Sequence, residues 1–296
     1  MKENRSERHG FKKTLLAAAA IIGTGTLLFQ GFTQAATAAE FKKTNSIPTS
    51  YAAYTADSSQ SPQNSLPEGY QKANYTLRGI DLEYYRNQTP TGKDMTKEEA
   101  AEIGAKALWD VFDLSLEGQV VEIGYQQPTE SLPRSRWYAD VLVNGERIYC
   151  FSVDSVTGEL FNISRSRTLD VKVSVAFDAA LDRNPQEYVE LAKKLAEKHN
   201  VVHGAVKSVA YNGQGYSNND PTLSVDISGE NGEMALMSLS RYDKELLGIV
   251  YSTEYKPTIE FNEKMMKRMH EKVKEMEKSS PPASKNEAPY LKPLYF

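Results

Sequence analysis

The chain has 296 residues, 40% of them hydrophobic and 25% charged, with a formal net charge of -4 and one cysteine. That length accommodates two ordinary domains of globular composition, and the lack of a clustered Lys/Arg stripe argues against nucleic acid as a partner. A single cysteine, Cys150, excludes an intrachain disulfide, so the fold must rest on its own core.

The N-terminus carries a basic run ending in Lys12 and Lys13, an apolar run from Leu15 to Phe29, and small residues around Ala36-Thr37-Ala38. This pattern predicts an export signal over residues 1–39, cleaved at the small-x-small triplet, with an uncleaved N-terminal anchor as the alternative. The apolar run is shorter than the roughly 20 residues that span a bilayer comfortably. The expected location is extracytoplasmic, secreted or held at the outer face of a bacterial membrane; the long basic leader suits a Gram-positive signal. Membrane contact is expected only through this segment. Residues 40–73, rich in Ser, Thr, Gln, Asn and Pro, predict a flexible linker.

Two similar units are expected next, over 74–168 and 169–256. In the first, Thr96 and Glu99 form a capping box ahead of a helix whose apolar stripe includes Ala100, Ile103, Ala107, Leu108 and Val111. In the second, Asn184, Pro185 and Glu187 predict an N-cap, a first helical residue and a box closure before Tyr188, Leu191, Ala192 and Leu195. Alternating strands follow each helix, with a tight turn at Asn144-Gly145 in the first unit. A strand also precedes each helix, "TLRGIDLEYY" and "TLDVKVSVAF". An offset of 86 superposes Val120 on Val206, Asp140 on Asp226, Ser152 on Ser238 and Glu159 on Glu245, while the helices superpose at 88, a difference assigned to the helix-to-strand loop. The expected architecture is α+β: two duplicated units, each an antiparallel sheet with one helix packed on a face. An amphipathic helix over 257–278 and a Pro-rich tail over 279–296 complete the chain.

The stretch "YCFSVDSVTGELFNI", preceded by the "EEAAEIGAKAL" helix and a hairpin, resembles the PepSY domain family over Asp94 to about Ser166. The second unit resembles it more distantly, with Ser240 where the motif has Asp154 and Lys244 where it has Gly158. The resemblance implies a PepSY/cystatin-like fold and a non-catalytic module of the kind found in propeptides of secreted metallopeptidases and in bacterial envelope and sporulation proteins. It carries no catalytic residues.

Each candidate residue also has a plainer role. Asp154, Gly158 and Glu159 suit a turn, since Asp and Gly serve turns for backbone reasons and the spacing lacks the alternating ligands of a calcium loop. His199 and His203 stand four apart, but Asn200 and Gly204 end the helix there, which favours C-terminal capping over metal. Cys150 lies in an alternating strand and reads as core. Met266, Met269, Val273 and Met276 form a narrow stripe that packs on the second unit or grips a partner. No HExxH helix or GxSxG elbow is present. The expectation is therefore a non-enzymatic exported binding or regulatory protein, without cofactor or metal, that modulates an envelope peptidase or cell-wall enzyme. The alternative is a structural or assembly scaffold of the cell envelope or spore.

Overall fold

The computed structural model describes residues 67–279, with side chains through Glu275. The expected export signal, most of the linker and the Pro-rich tail lie outside the described residues. In chain order the elements are β1 (Thr76–Gly79), α1 (Glu83–Arg86), α2 (Lys97–Phe112), β2 (Val120–Gln126), β3 (Arg136–Val143), β4 (Glu146–Asp154) and β5 (Leu160–Arg165). Then come α3 (Ala179–Arg183), α4 (Gln186–Lys198), β6 (Val206–Ser217), β7 (Asp220–Gly229), β8 (Met234–Ser240), β9 (Leu246–Val250) and α5 (Ser252–Ser279). The fold is α+β, built on one nine-stranded sheet in the order β1-β2-β3-β4-β5-β9-β8-β7-β6. Only the β1–β2 pair is parallel among the described strands.

Local chemistry explains most boundaries. Thr96 Oγ1 accepts from the Glu99 N–H and the Glu99 carboxylate accepts from the Thr96 N–H, so the expected capping box starts α2. The helix packs close to the sheet because residue 104 is glycine: a Cβ there would sit 2.2 Å from the Phe151 ring. The β3–β4 turn has Asn144 at φ 54° and Gly145 at φ 85°, the left-handed pair a two-residue hairpin requires.

The second helix differs from its expected start. Asp178 caps α3 by accepting from the Ala180 and Leu181 N–H groups, and the Asn184 N–H closes that short helix. Pro185 then precedes α4 without a side-chain cap, and Glu187 pairs with Lys244 instead of closing a box. The C-terminal helix begins at Ser252, five residues before Pro257, so the proline falls inside it. A proline this near the start removes one backbone hydrogen bond but leaves the helix able to continue.

Thr168–Phe177, expected as a strand, joins no ladder. Asn219 bonds Leu169 through its backbone N–H and C=O and also reaches the Val171 carbonyl, holding this stretch at the β6–β7 turn. Alternation sorts side chains to two faces but does not supply a partner strand. Here Val171, Val175 and Phe177 stay exposed.

Ladder register sorts the faces. One cross-strand row runs Ile123, Ala139, Phe151, Ile163, Ile249, Met237 and Val225, every member buried. This row belongs to the core that also contains α2 residues Ala101, Ala105 and Leu108 and α4 residues Tyr188, Ala192 and Ala196. The adjacent row, on the other face, reads Glu122, Asp140, Cys150, Ser164, Gly248, Ser238 and Ser224.

The registers also recur along the chain. Arg136 faces Asp154 as Thr222 faces Ser240, 86 residues on, and the irregularity at Ser152/Val153 returns at Ser238/Leu239. From Val120 to Ile123 the offset to β6 is 88, because Glu122 faces Asp140 whereas Ala210 faces Asp226, and past the irregularity at Tyr211/Gly213 it is 89, because Tyr125 faces Trp137 whereas Gln214 faces Leu223. The two-residue difference therefore extends beyond the helix-to-strand loop. The excess, three residues by the end of β6, is lost between the strands, where residues 127–135 join β2 to β3 but only Asn218 and Asn219 join β6 to β7. At the centre, β5 and β9 pair antiparallel through Asn162–Val250, Ile163–Ile249 and Ser164–Gly248.

Candidate functional site

The turn holding Asp154, Gly158 and Glu159 closes on itself chemically. One Asp154 carboxylate oxygen accepts from the Val156 and Thr157 N–H groups at 2.8 and 2.7 Å, and the other meets Arg134 Nε at 2.6 Å. Arg134 Nη2 meets Glu159 at 2.5 Å and donates to Thr157 Oγ1 at 2.9 Å. Burial would raise the Glu159 pKa, but its hydrogen bond and ion pair with Arg134 prevail and lower it. Gly158 sits at φ 78°, with Ile103 and Met95 close to where a Cβ would project. Next to this turn, Asp94 accepts from Thr91, Ser135 and Ser155 hydroxyls and from the Tyr125 hydroxyl. Burial works against its charge, yet the hydrogen bonds from Ser155, Thr91 and Ser135 hold its pKa down at about 2.

The equivalent turn 86 residues later keeps the backbone and rearranges the charges. Lys244 N–H donates to the Ser240 carbonyl as Gly158 N–H does to that of Asp154, and Lys244 occupies the left-handed region at φ 64°. Ser240 replaces the aspartate, and Asp220, 86 residues after Arg134, supplies a fully buried carboxylate that accepts from Ser240 Oγ at 2.6 Å. The cation now comes from Arg167, whose three nitrogens reach Asp220 at 2.6 Å and Asp243 and Glu245 at 2.7 Å. The arginine–carboxylate clamp persists with its partners exchanged. In both places the charges are spent on one another, which is how a turn is stapled.

Helix α5 is tied down at its first turns and, beyond them, touches the 130–133 loop on one side while its methionine stripe stays exposed. Glu254 meets Arg136 Nη1 at 3.1 Å and accepts from Asn162 Nδ2, with both ionic side chains largely buried. Arg136 also donates to Gln126, which bonds the Tyr85 hydroxyl of α1, and its guanidinium lies 5.5 Å from the Phe161 ring centre. Tyr255, buried, donates its hydroxyl to Asp226. Farther along, Phe261, Lys264 and Arg268 lean on residues 130–133, forming a groove of about 240 Å³ with an Arg268–Glu130 contact of 3.1 Å. Met266 and Met269 are 48% and 41% exposed, and Val273 is partly so. The side chain of Met276 lies outside the described residues. Packing of this stripe onto the second half, one of the two expectations, does not occur at Met266 or Met269.

The remaining candidates are separated. His199 follows α4 at its C-cap and approaches Asp110 at 3.3 Å, whereas His203 meets Glu233 at 2.9 Å. No group of three or more His, Cys, Asp or Glu able to hold a metal occurs among the described residues. Cys150, expected in the core, is half-buried in the row on the opposite face of the sheet; its Sγ contacts Ser164 Oγ at 3.0 Å, and desolvation pushes its thiol up to about 11. No described helix is long and apolar enough to cross a membrane.

The turn and the stripe are legible in the sequence, whereas Arg134, Arg136, Asp94, Arg167 and Glu254 are not. Most of these meet partners far along the chain, so local spacing is silent. Asp220 had a signal: it takes the place of Arg134 at the offset that replaces Asp154 by Ser240. No family model, curated protein or solved structure matches the chain.

Proposed function

We propose that this is a non-enzymatic exported protein with two duplicated PepSY-like units that binds and modulates an envelope peptidase or cell-wall enzyme. The observation carrying this reading is the contrast between the turns and α5. The carboxylates and arginines of both turns satisfy one another, while α5 is anchored at Glu254 and Tyr255 and presents Met266 and Met269 to solvent. Charged groups committed to internal clamps stabilise a scaffold, and exposed methionines adapt to a partner surface. The recurrent ladder registers support duplication, with the boundaries expected near residues 168 and 256.

Capture from native envelope with the full-length protein, followed by peptidase and murein hydrolase assays on the captured enzyme, tests this function. Altered activity that returns to its basal value on removal of the protein is expected. Capture with activity unchanged favours the envelope or spore scaffold, and hydrolysis by the purified protein alone overturns the non-enzymatic reading.

A further inference from the structure

Beside the second clamp lies an arginine that takes no part in it. The Arg241 N–H donates to the Pro221 carbonyl at 2.7 Å as the Ser155 N–H does to that of Ser135 at 3.1 Å, so residues 86 apart occupy equivalent backbone places. In the first half a carboxylate fills that place, since Asp94 accepts from the hydroxyls of both Ser155 and Ser135. In the second half Asp182, 88 residues after Asp94, accepts from Tyr211 instead, and Asp178 Oδ1 is spent on the Ala180 and Leu181 N–H groups. The half-buried Arg241 guanidinium donates only to neutral acceptors among the described residues, Gln214 Oε1 at 2.8 Å and the Ala176 carbonyl at 3.0 Å. Its Nε–H is sealed from water and has no acceptor. An unmet N–H on a half-buried cation costs stability that an anionic acceptor would recover.

Arg241 borders an open cavity of about 380 Å³ whose walls include Leu181, Tyr188, Pro221 and Tyr242. We propose that this cavity binds a carboxylate carried on an apolar or aromatic body, with Arg241 as its charge partner. A guanidinium presents its N–H groups in a planar fork that matches a carboxylate, the group that Asp94 supplies at the equivalent place in the first half. The walls supply the apolar contact: Tyr188 is buried there and Tyr242 stands 51% exposed. Asp178 also borders the cavity, and its pKa is lowered by the Leu181 and Ala180 N–H groups and, to a smaller extent, by Arg241. That nearby negative charge opposes a phosphate dianion more than a single carboxylate. The volume suits a ligand about the size of one capped hydrophobic amino acid.

The cavity shares no residue with α5, so ligand binding here and modulation of an envelope enzyme can fail separately. Titration of N-acetylphenylalanine into the full-length protein at neutral pH, followed by calorimetry and by the Arg241 Nε–H resonance, should show saturable binding with a Kd of about 1 mM or tighter and a downfield shift of that resonance. N-acetylphenylalaninamide, the same body without the charge, should bind at least about tenfold more weakly. Arg241→Lys keeps the charge but loses the fork and should weaken binding of the acid by about tenfold. Tyr242→Ala, at an exposed position, should weaken it severalfold while leaving the thermal transition in place. Absence of saturation at about 20 mM, an amide bound as tightly as the acid, or binding indifferent to both substitutions overturns the proposal. So does inorganic phosphate that binds at Arg241 more tightly than the acid, which would assign the cavity to a small inorganic anion.

Discussion

Replacing Glu254 tests the anchoring of α5 most directly. At 3.1 Å from Arg136, with side-chain exposures of 6% and 14%, the pair carries an attraction of about 5 kcal/mol at an effective dielectric near 20. Desolvation of two charges costs several kcal/mol each, so the pair as a whole nets little. Removing one partner is different, because Arg136 would stay buried with, among the described residues, Gln126 and the Phe161 ring as its remaining side-chain partners. Glu254→Ala should therefore destabilise by about 3 kcal/mol, the lower end for a broken buried pair. For a body of this size that corresponds to a fall in Tm of about 6–12 °C. Arg136→Met with Glu254→Met should recover most of the loss, since apolar groups of similar volume remove the stranded charge. Denaturant titration of the single and double variants, with amide exchange across Ser252–Phe261, provides the measurement. A single variant within about 0.5 kcal/mol of wild type, or a double variant worse than either single, would refute the reasoning.

Other consequences are equally direct. Lys244→Gly relieves a left-handed residue at about 1–2 kcal/mol while adding unfolded-state freedom and losing an exposed ion pair, so stability should rise by about 0.5 kcal/mol in a denaturant titration. Its reverse, Gly158→Lys, should destabilise, because Ile103 lies 3.1 Å from the new Cβ as well. Asp94 has a folded pKa of about 2, below its ordinary 3.8, so its contribution is complete above about pH 4 and is lost as pH falls toward 2. Asp94→Asn should flatten that part of the acid-stability profile by about 1 kcal/mol after allowance for solvent screening. With its pKa pushed up to about 11, the Cys150 thiol should react slowly with a disulfide reagent at pH 8 in the native protein and rapidly in denaturant. Equal rates in the two states would contradict its burial.

What the sequence disclosed follows the range of the interactions involved. The α2 capping box, the Asn144-Gly145 turn and the closing of α4 near His199 depend on neighbours within a few residues, and each is present. The β5–β9 pairing joins segments about 86 residues apart, and nothing in either strand names the other. Thr168–Phe177 misleads for the complementary reason: its alternation is genuine, but the Asn219 side chain claims its backbone. The turn motif was legible as a turn, while its arginine was not, because Arg134 lies twenty residues upstream and Arg167 enters the second clamp from the connection between the halves.

The foot of α5 reaches to both sides of the central β5–β9 pairing. Glu254 holds Arg136 and Asn162 on one side, and Tyr255 holds Asp226 on the other, although only three residue pairs join the strands between them. The helix is thus a splint across the narrowest joint of the sheet. A pull on its free end is shared between the halves at the first turn, so tension reaches β3 and β7 without first having to open the ladder that lies between them.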